Sequence, residues 1–333
     1  MTIGKRMKPV LIKYVIWVVT LMACGGAMVA DAGELGHYLP GVASIRDFAM
    51  PAEPGFSYVQ YNLLYAADTY KDRNGKTVDS VTIGSTTLNI EADIDSYAFQ
   101  PTFIWVSPWK FIGASYGAYF GVPLVNMSIQ AALSTQTRFG RSINESQWGL
   151  GDIYVKPLWL GWNMKHFGLT LGYGLYTPTG RYDDGDADNT GLGFWTHEFQ
   201  GGVTWYPWEH QGTAIMINGT YEIHHKKDGV DITPGDRFSL DYGISQYLPV
   251  NKDETLLAEL GIAGYSQWQV ENDSGADVVQ VLNVEDEVHG IGGQIGFAYI
   301  PWNASVTFRW LTEYNAKARF EGDLFTLTFA KGF

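Results

Sequence analysis

Beyond about residue 55, apolar and polar residues alternate in runs of about ten positions, the period of a strand with one greasy face and one wet face. In the first predicted strand Val59, Tyr61, Leu63 and Tyr65 share one face, with Gln60 and Asn62 on the other. The second carries Tyr97, Phe99, Phe103 and Trp105 in one phase, and the third carries Ile112, Ala114, Tyr116, Ala118 and Phe120. Ile153, Val155 and Trp159 mark the outward face of the fourth; Phe167, Leu169, Leu171, Tyr173 and Leu175 mark that of the fifth. Strands six and seven present Phe199, Val203 and Trp205, then Ile215, Ile217, Tyr221 and Ile223. Eight and nine follow with Phe238, Leu240, Tyr242, Ile244 and Leu248, then Leu256, Ala258, Leu260 and Ile262. Ten and eleven offer Ile291, Ile295, Phe297 and Tyr299, then Val306, Phe308 and Trp310. The last sets Phe325, Leu327, Phe329, Lys331 and Phe333 against Leu324, Thr326, Thr328, Ala330 and Gly332, which brings the count to about twelve.

The connections alternate as strictly as the residues do. Long polar stretches (66–95, 123–147, 177–193 and 271–287) are separated by short turns such as Ser107–Lys110, Pro207–Gln211 and Pro301–Asn303. Within the first of them, Leu88–Ile94 reads as a hairpin above the membrane. Extended loops on one side and tight turns on the other characterise an antiparallel transmembrane β-barrel, here of about twelve strands over residues 55–333. Closure is required physically, because each unpaired peptide group in hydrocarbon costs several kcal/mol. A chain end is ordinarily frayed and wet, so a final strand ending on Phe fits pairing with the first strand in lipid. Phe325, Phe329 and Phe333 resemble the C-terminal signal that hands outer-membrane proteins to the barrel assembly machinery, although Lys331 stands where that signal expects an apolar residue.

Tryptophan placement agrees. Trp105, Trp109, Trp159, Trp162, Trp205, Trp208 and Trp302 sit beside the short turns, where an indole lies at the headgroup level with its N–H in water. Aromatics make up 15% of the chain, with 39 glycines and a net charge of −13. Mean hydropathy is −0.09, a value that hides a barrel because lipid-facing and lumen-facing residues average out. The acidity argues against nucleic acid as a partner, while the likeness of the last strand to the C-terminal signal implies outer-membrane lipid of a Gram-negative cell as the barrel's surroundings.

The first 32 residues read as an export signal: Lys5, Arg6, Lys8 and Lys13 precede an apolar run from Val15 to Ala30, and Ala30-Asp31-Ala32 offers a small-x-small cleavage pattern. The lone cysteine, Cys24, stands in a stretch resembling a lipoprotein box, but Met22 is unusual there and apolar sequence continues beyond it, which favours ordinary cleavage. A mature chain without cysteine can be neither a disulfide scaffold nor a thiolate metal site. Residues 33–54 carry Pro40-Gly41 and end on Pro54, just before Gly55, with no clean period, an irregular segment expected to act as a plug or gate, with His37, Tyr38, Arg46 and Asp47 among its polar side chains.

The phasing directs Asp152, Tyr154, Lys156, Glu198, Gln200, Asp241, Ser245, Glu259, Arg309 and Glu313 into the lumen. Facing lipid they would be costly, at about 2–4 kcal/mol for Arg or Lys at the midplane; facing inward they line a hydrated transport path or a lattice that holds a plug. Other local patterns carry less. Asp183–Asn189 alternates carboxylates but lacks the central Gly and the terminal Glu of an EF-hand calcium loop. His224 and His225 adjoin Lys226 and Lys227, which reads as a solvated loop rather than a metal site. Ser239 and Ser245 have no histidine in register. Neither a cofactor, a metal nor an enzymatic activity is therefore expected.

In order along the chain come His37-Tyr-Leu-Pro-Gly41, Gly149-Leu-Gly-Asp-Ile153 with Pro157 and Trp162, Tyr176–Tyr182, Asn189-Thr-Gly191 with Trp195, Leu240-Asp-Tyr242 and Asp273-Ser-Gly275. This succession resembles the family of outer-membrane transporters associated with the meta-pathway of phenol degradation. The resemblance implies a barrel admitting aromatic or other hydrophobic small molecules by passive, porin-like diffusion. The competing readings are an outer-membrane lipid-modifying enzyme, which needs a nucleophile at the rim, and a structural or adhesive barrel acting through its acidic loops.

Overall fold

The computed structural model describes residues 35–83, 86–135, 138–184, 188–280 and 283–333. The expected export signal and Cys24 lie outside them. The first strands are β1 (Gly55–Lys71), β2 (Ser80–Ile83), β3 (Thr86–Phe111), β4 (Ala114–Gly121), β5 (Leu124–Thr135), β6 (Arg138–Leu150), β7 (Ile153–Asn163) and β8 (Phe167–Thr177). The rest are β9 (Thr196–Trp205), β10 (Thr213–His224), β11 (Arg237–Pro249), β12 (Leu256–Gln269), β13 (Glu287–Tyr299), β14 (Ala304–Lys317) and β15 (Arg319–Gly332).

β4 and β5 form one strand interrupted at Val122-Pro123, since both face β3 in a continuous register that runs from Thr102↔Gly121 to Phe99↔Leu124. β6 and β7 face that composite strand in the same way. Merged so, and with the short β2 set aside, the sheet is a ring of twelve antiparallel strands. The ring closes where β1 pairs with β15 on one edge and β3 on the other. Phe333 secures the seam by donating its N–H to the carbonyl of Phe56 at 2.8 Å. Both barrel ends thus lie on the short-turn side.

The outward face is the expected apolar band. Phe103, Phe199, Val203, Trp205, Ile217, Ile244, Leu260, Ile262, Ile291, Ile295, Phe308, Trp310 and Phe329 are all exposed on it. Only a bilayer makes such a surface stable on a closed barrel, and the protein is a β-barrel of the Gram-negative outer membrane. Trp109, Trp208 and Trp302 are exposed at the short-turn end, and the Trp162 indole donates to the carbonyl of Ile112.

Three expectations are corrected. In β1 the apolar set points inward: Val59 and Leu63 are buried while Phe56 and Leu64 are exposed. The phase inverts because the lumen at β1 is itself apolar, Leu63 joining Ile45, Phe48 and Leu324 in one cluster. Trp159 is also buried, against Met50 and Val106. A bulge between Val155 and Leu158 spans Pro157, which has no N–H for the ladder, and the extra residue flips the face. The stretch 123–147, expected as a loop, is mostly β5 and β6. At 26 residues, β3 extends about 85 Å at ~3.3 Å per residue, so a sheet of β2, β3, β5 and β6 stands beyond the membrane.

Candidate functional site

The lumen holds the segment 35–54, which threads it from the long-loop end to the short-turn end before entering β1. At the top, the carboxylate of Glu222 on β10 accepts the backbone N–H groups of His37 and Tyr38 at 2.9 and 2.8 Å. The His37 ring lies 2.9 Å from Asp152 Oδ2 through Nε2 and 2.7 Å from Thr196 Oγ1 through Nδ1. It stacks on Tyr176 and meets Phe194 edge-on. Below, the Tyr38 hydroxyl donates to Asp241 Oδ2 at 2.6 Å and the Gly41 N–H donates to Oδ1 at 2.7 Å.

Mid-lumen, Ile45 is fully buried. It fits because Gly243 on β11 and Gly261 on β12 face it; a Cβ on either would sit 2.7 or 2.8 Å from its side chain. Arg309 donates to the Gly41 carbonyl and to Gln294, while the Gln294 side-chain oxygen also accepts the Ile45 N–H. Toward the short turns Arg46 donates to Ser245 and Glu259, each at 3.2 Å, and to the carbonyls of Gln211 and Gly212. Its guanidinium lies 3.8 Å from the centre of the Tyr247 ring. Asp47 accepts the Ser44 N–H and lies 3.5 Å from the Tyr61 hydroxyl.

The ten side chains assigned to the lumen from phasing are turned into it. Lys156 is fully buried, 3.1 Å from Glu198, and donates to Gln200 at 2.7 Å. Tyr154 and Tyr176 donate to the same Glu198 carboxylate. Glu313 accepts from Tyr65, Tyr265 and the Gly322 N–H. Most of these groups are bound to each other or to the segment, so the lumen is a pinned polar lattice with the segment as part of it.

Sequence reasoning missed Glu222, Thr196 and His224, although Asn218, Thr220, Glu222 and His224 share the inward phase of β10 and are all buried. The solvated-loop reading of His224 is corrected: it is the last residue of β10 and turns inward beneath Thr196, at 2.8 Å through Nδ1. His225 faces out, its Nε2 lying 2.9 Å from that of His197. The buried Arg237–Asp286 pair was also unforeseen, since its partners come from β11 and a loop. Burial pushes the Asp286 carboxyl up, but Arg237 and then Arg319 outweigh it and hold the group below the usual carboxylate range.

At the outer rim a serine and a histidine do meet. Ser266 Oγ lies 2.8 Å from His289 Nδ1, and His289 Nε2 lies 2.8 Å from Glu287. Ser266 is buried and paired to β11 on one side and β13 on the other. Its neighbouring amides are thus committed to ladders rather than aimed at an oxyanion, and the contact is a cross-strand pair. Ser239 accepts from Gln267, and Ser245 from Arg46.

A family model described as "Putative MetA-pathway of phenol degradation" matches residues 67–329. No curated protein sequence matches the chain. Among solved structures, an outer membrane channel from Pseudomonas putida F1 is similar, with 14% identity over 89% of this chain and 100% of the other and a TM-score of 0.67. The β domain of the Bordetella autotransporter BrkA matches at 10% identity over 84% and 100%, with a TM-score of 0.48. A FadL homologue from Pseudomonas aeruginosa matches at 10% identity over 93% and 97%, with a TM-score of 0.35.

Proposed function

The chain belongs to the family described as the MetA-pathway of phenol degradation, and on that premise we propose that it is an outer-membrane channel admitting aromatic or other hydrophobic small molecules by passive diffusion. The segment 35–54 is its gate. The observation that carries this reading is the seat of that segment: it occupies the lumen along its length, yet only at Gly55 does it join the wall covalently. Elsewhere hydrogen bonds, ion pairs and apolar contacts hold it, and such contacts open without breaking the ring of strands. Phenolic side chains, among them Tyr65, Tyr154, Tyr176 and Tyr265, turn inward with their hydroxyls held by Glu198 and Glu313, so the lumen around the segment is rich in aromatic rings. The description of the Pseudomonas putida protein as a channel supports the same reading.

Uptake of a labelled aromatic hydrocarbon by cells making the protein tests it. The expected result is entry faster than in cells without the protein, rising linearly with concentration and indifferent to a proton uncoupler. Uptake that is no faster, in cells whose barrel is shown to be folded by heat-shifted gel mobility, would overturn it.

A further inference from the structure

We infer that His37, Glu222 and His224 form a binding site for a divalent transition metal of the zinc type, joining the N-terminal segment to the barrel wall. One ligand atom from each of the three lies within 4.8 Å of the others. His37 comes from the segment; Glu222 and His224 are two apart on β10 and so project from the same inward face.

Two atoms at this point are buried and lack a hydrogen-bond partner: Glu222 Oε2 and His224 Nε2. Both side chains are more than nine-tenths buried, at 1% and 5% exposure. The remaining polar atoms of the three residues are held in place. Glu222 Oε1 accepts two backbone N–H groups. Asp152 already accepts the N–H groups of Gly180 and Leu192, so His37 Nε2 is its third donor. Thr196 Oγ1 then donates to His37 Nδ1 and accepts from His224 Nδ1–H, which leaves a bare lone pair on His224 Nε2.

Glu222 and His224 are held as metal ligands are, each with one atom fixed by an outer partner and another left bare. Glu222 Oε2 and His224 Nε2 are free to bind, and His37 Nδ1 joins them when the Thr196 hydroxyl turns away. Bonds of about 2.0–2.2 Å put tetrahedral ligands roughly 3.4 Å apart, so the three close by about 1.4 Å at most, within the reach of side-chain rotation. Two imidazoles and one carboxylate select zinc and its transition-metal neighbours over calcium or magnesium, which take oxygen ligands. Arg237, which stands opposite Glu222 across β10 and β11, is bound to Asp286.

A metal here staples the top of the segment to β10. That consequence rests on the gate reading above; metal binding itself does not. The test uses the refolded full-length mature barrel carrying His197→Ala and His225→Ala, so that the outer histidine pair supplies no site. After dialysis against zinc alone and then metal-free buffer, retained metal is counted by mass spectrometry, with heat-shifted gel mobility as proof of folding. About one zinc per chain is expected, lost on adding either His224→Ala or Glu222→Gln. No retained zinc in the parent, or undiminished retention in both ligand variants, overturns the site. Retention through these residues with no effect of zinc on conductance keeps the site and overturns the gate reading alone.

Discussion

Tyr38 and Asp241, 203 residues apart in sequence, meet through a 2.6 Å hydrogen bond in which the phenol donates to the carboxylate. The other oxygen of Asp241 accepts the Gly41 N–H, and Gly41 takes a φ of 82° that favours glycine. One wall carboxylate therefore holds both ends of a short turn in the segment. On this arrangement the upper half of the segment is clipped to β11, and its release is a matter of a few hydrogen bonds.

Tyr38→Phe removes one of them without changing the shape of the ring. A hydrogen bond to a charged group contributes about 1.5–3 kcal/mol, so the fraction of time spent open is expected to rise about tenfold or more. Single-channel recording in a planar bilayer measures it, and an unchanged open fraction would show that Tyr38 does not restrain the segment.

Gly243→Leu fills the space that Ile45 occupies, since even a Cβ there lies 2.7 Å from Ile45. The expected outcome is a displaced segment in an intact barrel: faster protease cleavage within 35–54 and an unaltered heat shift on gels. Gly219→Leu, on the lipid-facing phase of β10, serves as the control and is expected to leave cleavage unchanged.

Asp286→Asn leaves Arg237 and Arg319 without their shared carboxylate. Removing one partner of a buried pair costs about 3–5 kcal/mol, to be read from urea unfolding of the refolded barrel. The pH dependence has a definite sign. A folded carboxyl held below its ordinary value contributes stability that is fully present above the unfolded pKa of about 3.9 and is lost as pH falls through the folded one. The wild type should lose more stability between neutral pH and the acid limb than Asp286→Asn does; equal losses would contradict the assignment.

Phe333→Ala removes an exposed aromatic from the closing seam while leaving its backbone bond to Phe56 available. If the terminal strand is what the assembly machinery reads, the amount of folded barrel in the outer membrane should fall severalfold in cells. Refolding of the purified variant in detergent should be nearly normal.

Where lipid stood on one side and polar groups on the other, the chain was readable. From β8 to β15 the alternation between, for example, Phe199 and Glu198, or Trp310 and Arg309, reports the barrel phase directly, because each outward residue must be apolar and each inward one need not be. The same rule failed where its premise failed. In β1 the inside is apolar around Ile45 and Phe48, so Leu63 turned the other way. Beyond the membrane β5 alternates too, Met127, Ile129 and Ala131 against Ser128 and Gln130, with Ile129 and Ala131 buried, so this strand was legible although the stretch was expected as a loop. Trp159 was misplaced by a single extra residue at Pro157. The lumen residues were legible one at a time, but their partners were not: nothing in the order of residues says that His37 reaches Asp152, Thr196 and Glu222. Those contacts exist only once the segment threads the ring.

The most direct test is the conductance of the refolded mature barrel in a planar bilayer, compared with a form lacking residues 34–54. The gate account predicts small or intermittent current steps for the intact chain and large, sustained ones for the deletion, with both forms showing the heat shift of a folded barrel. Equal conductance from two folded forms would contradict it, because a segment that fills the lumen without controlling passage cannot be a gate.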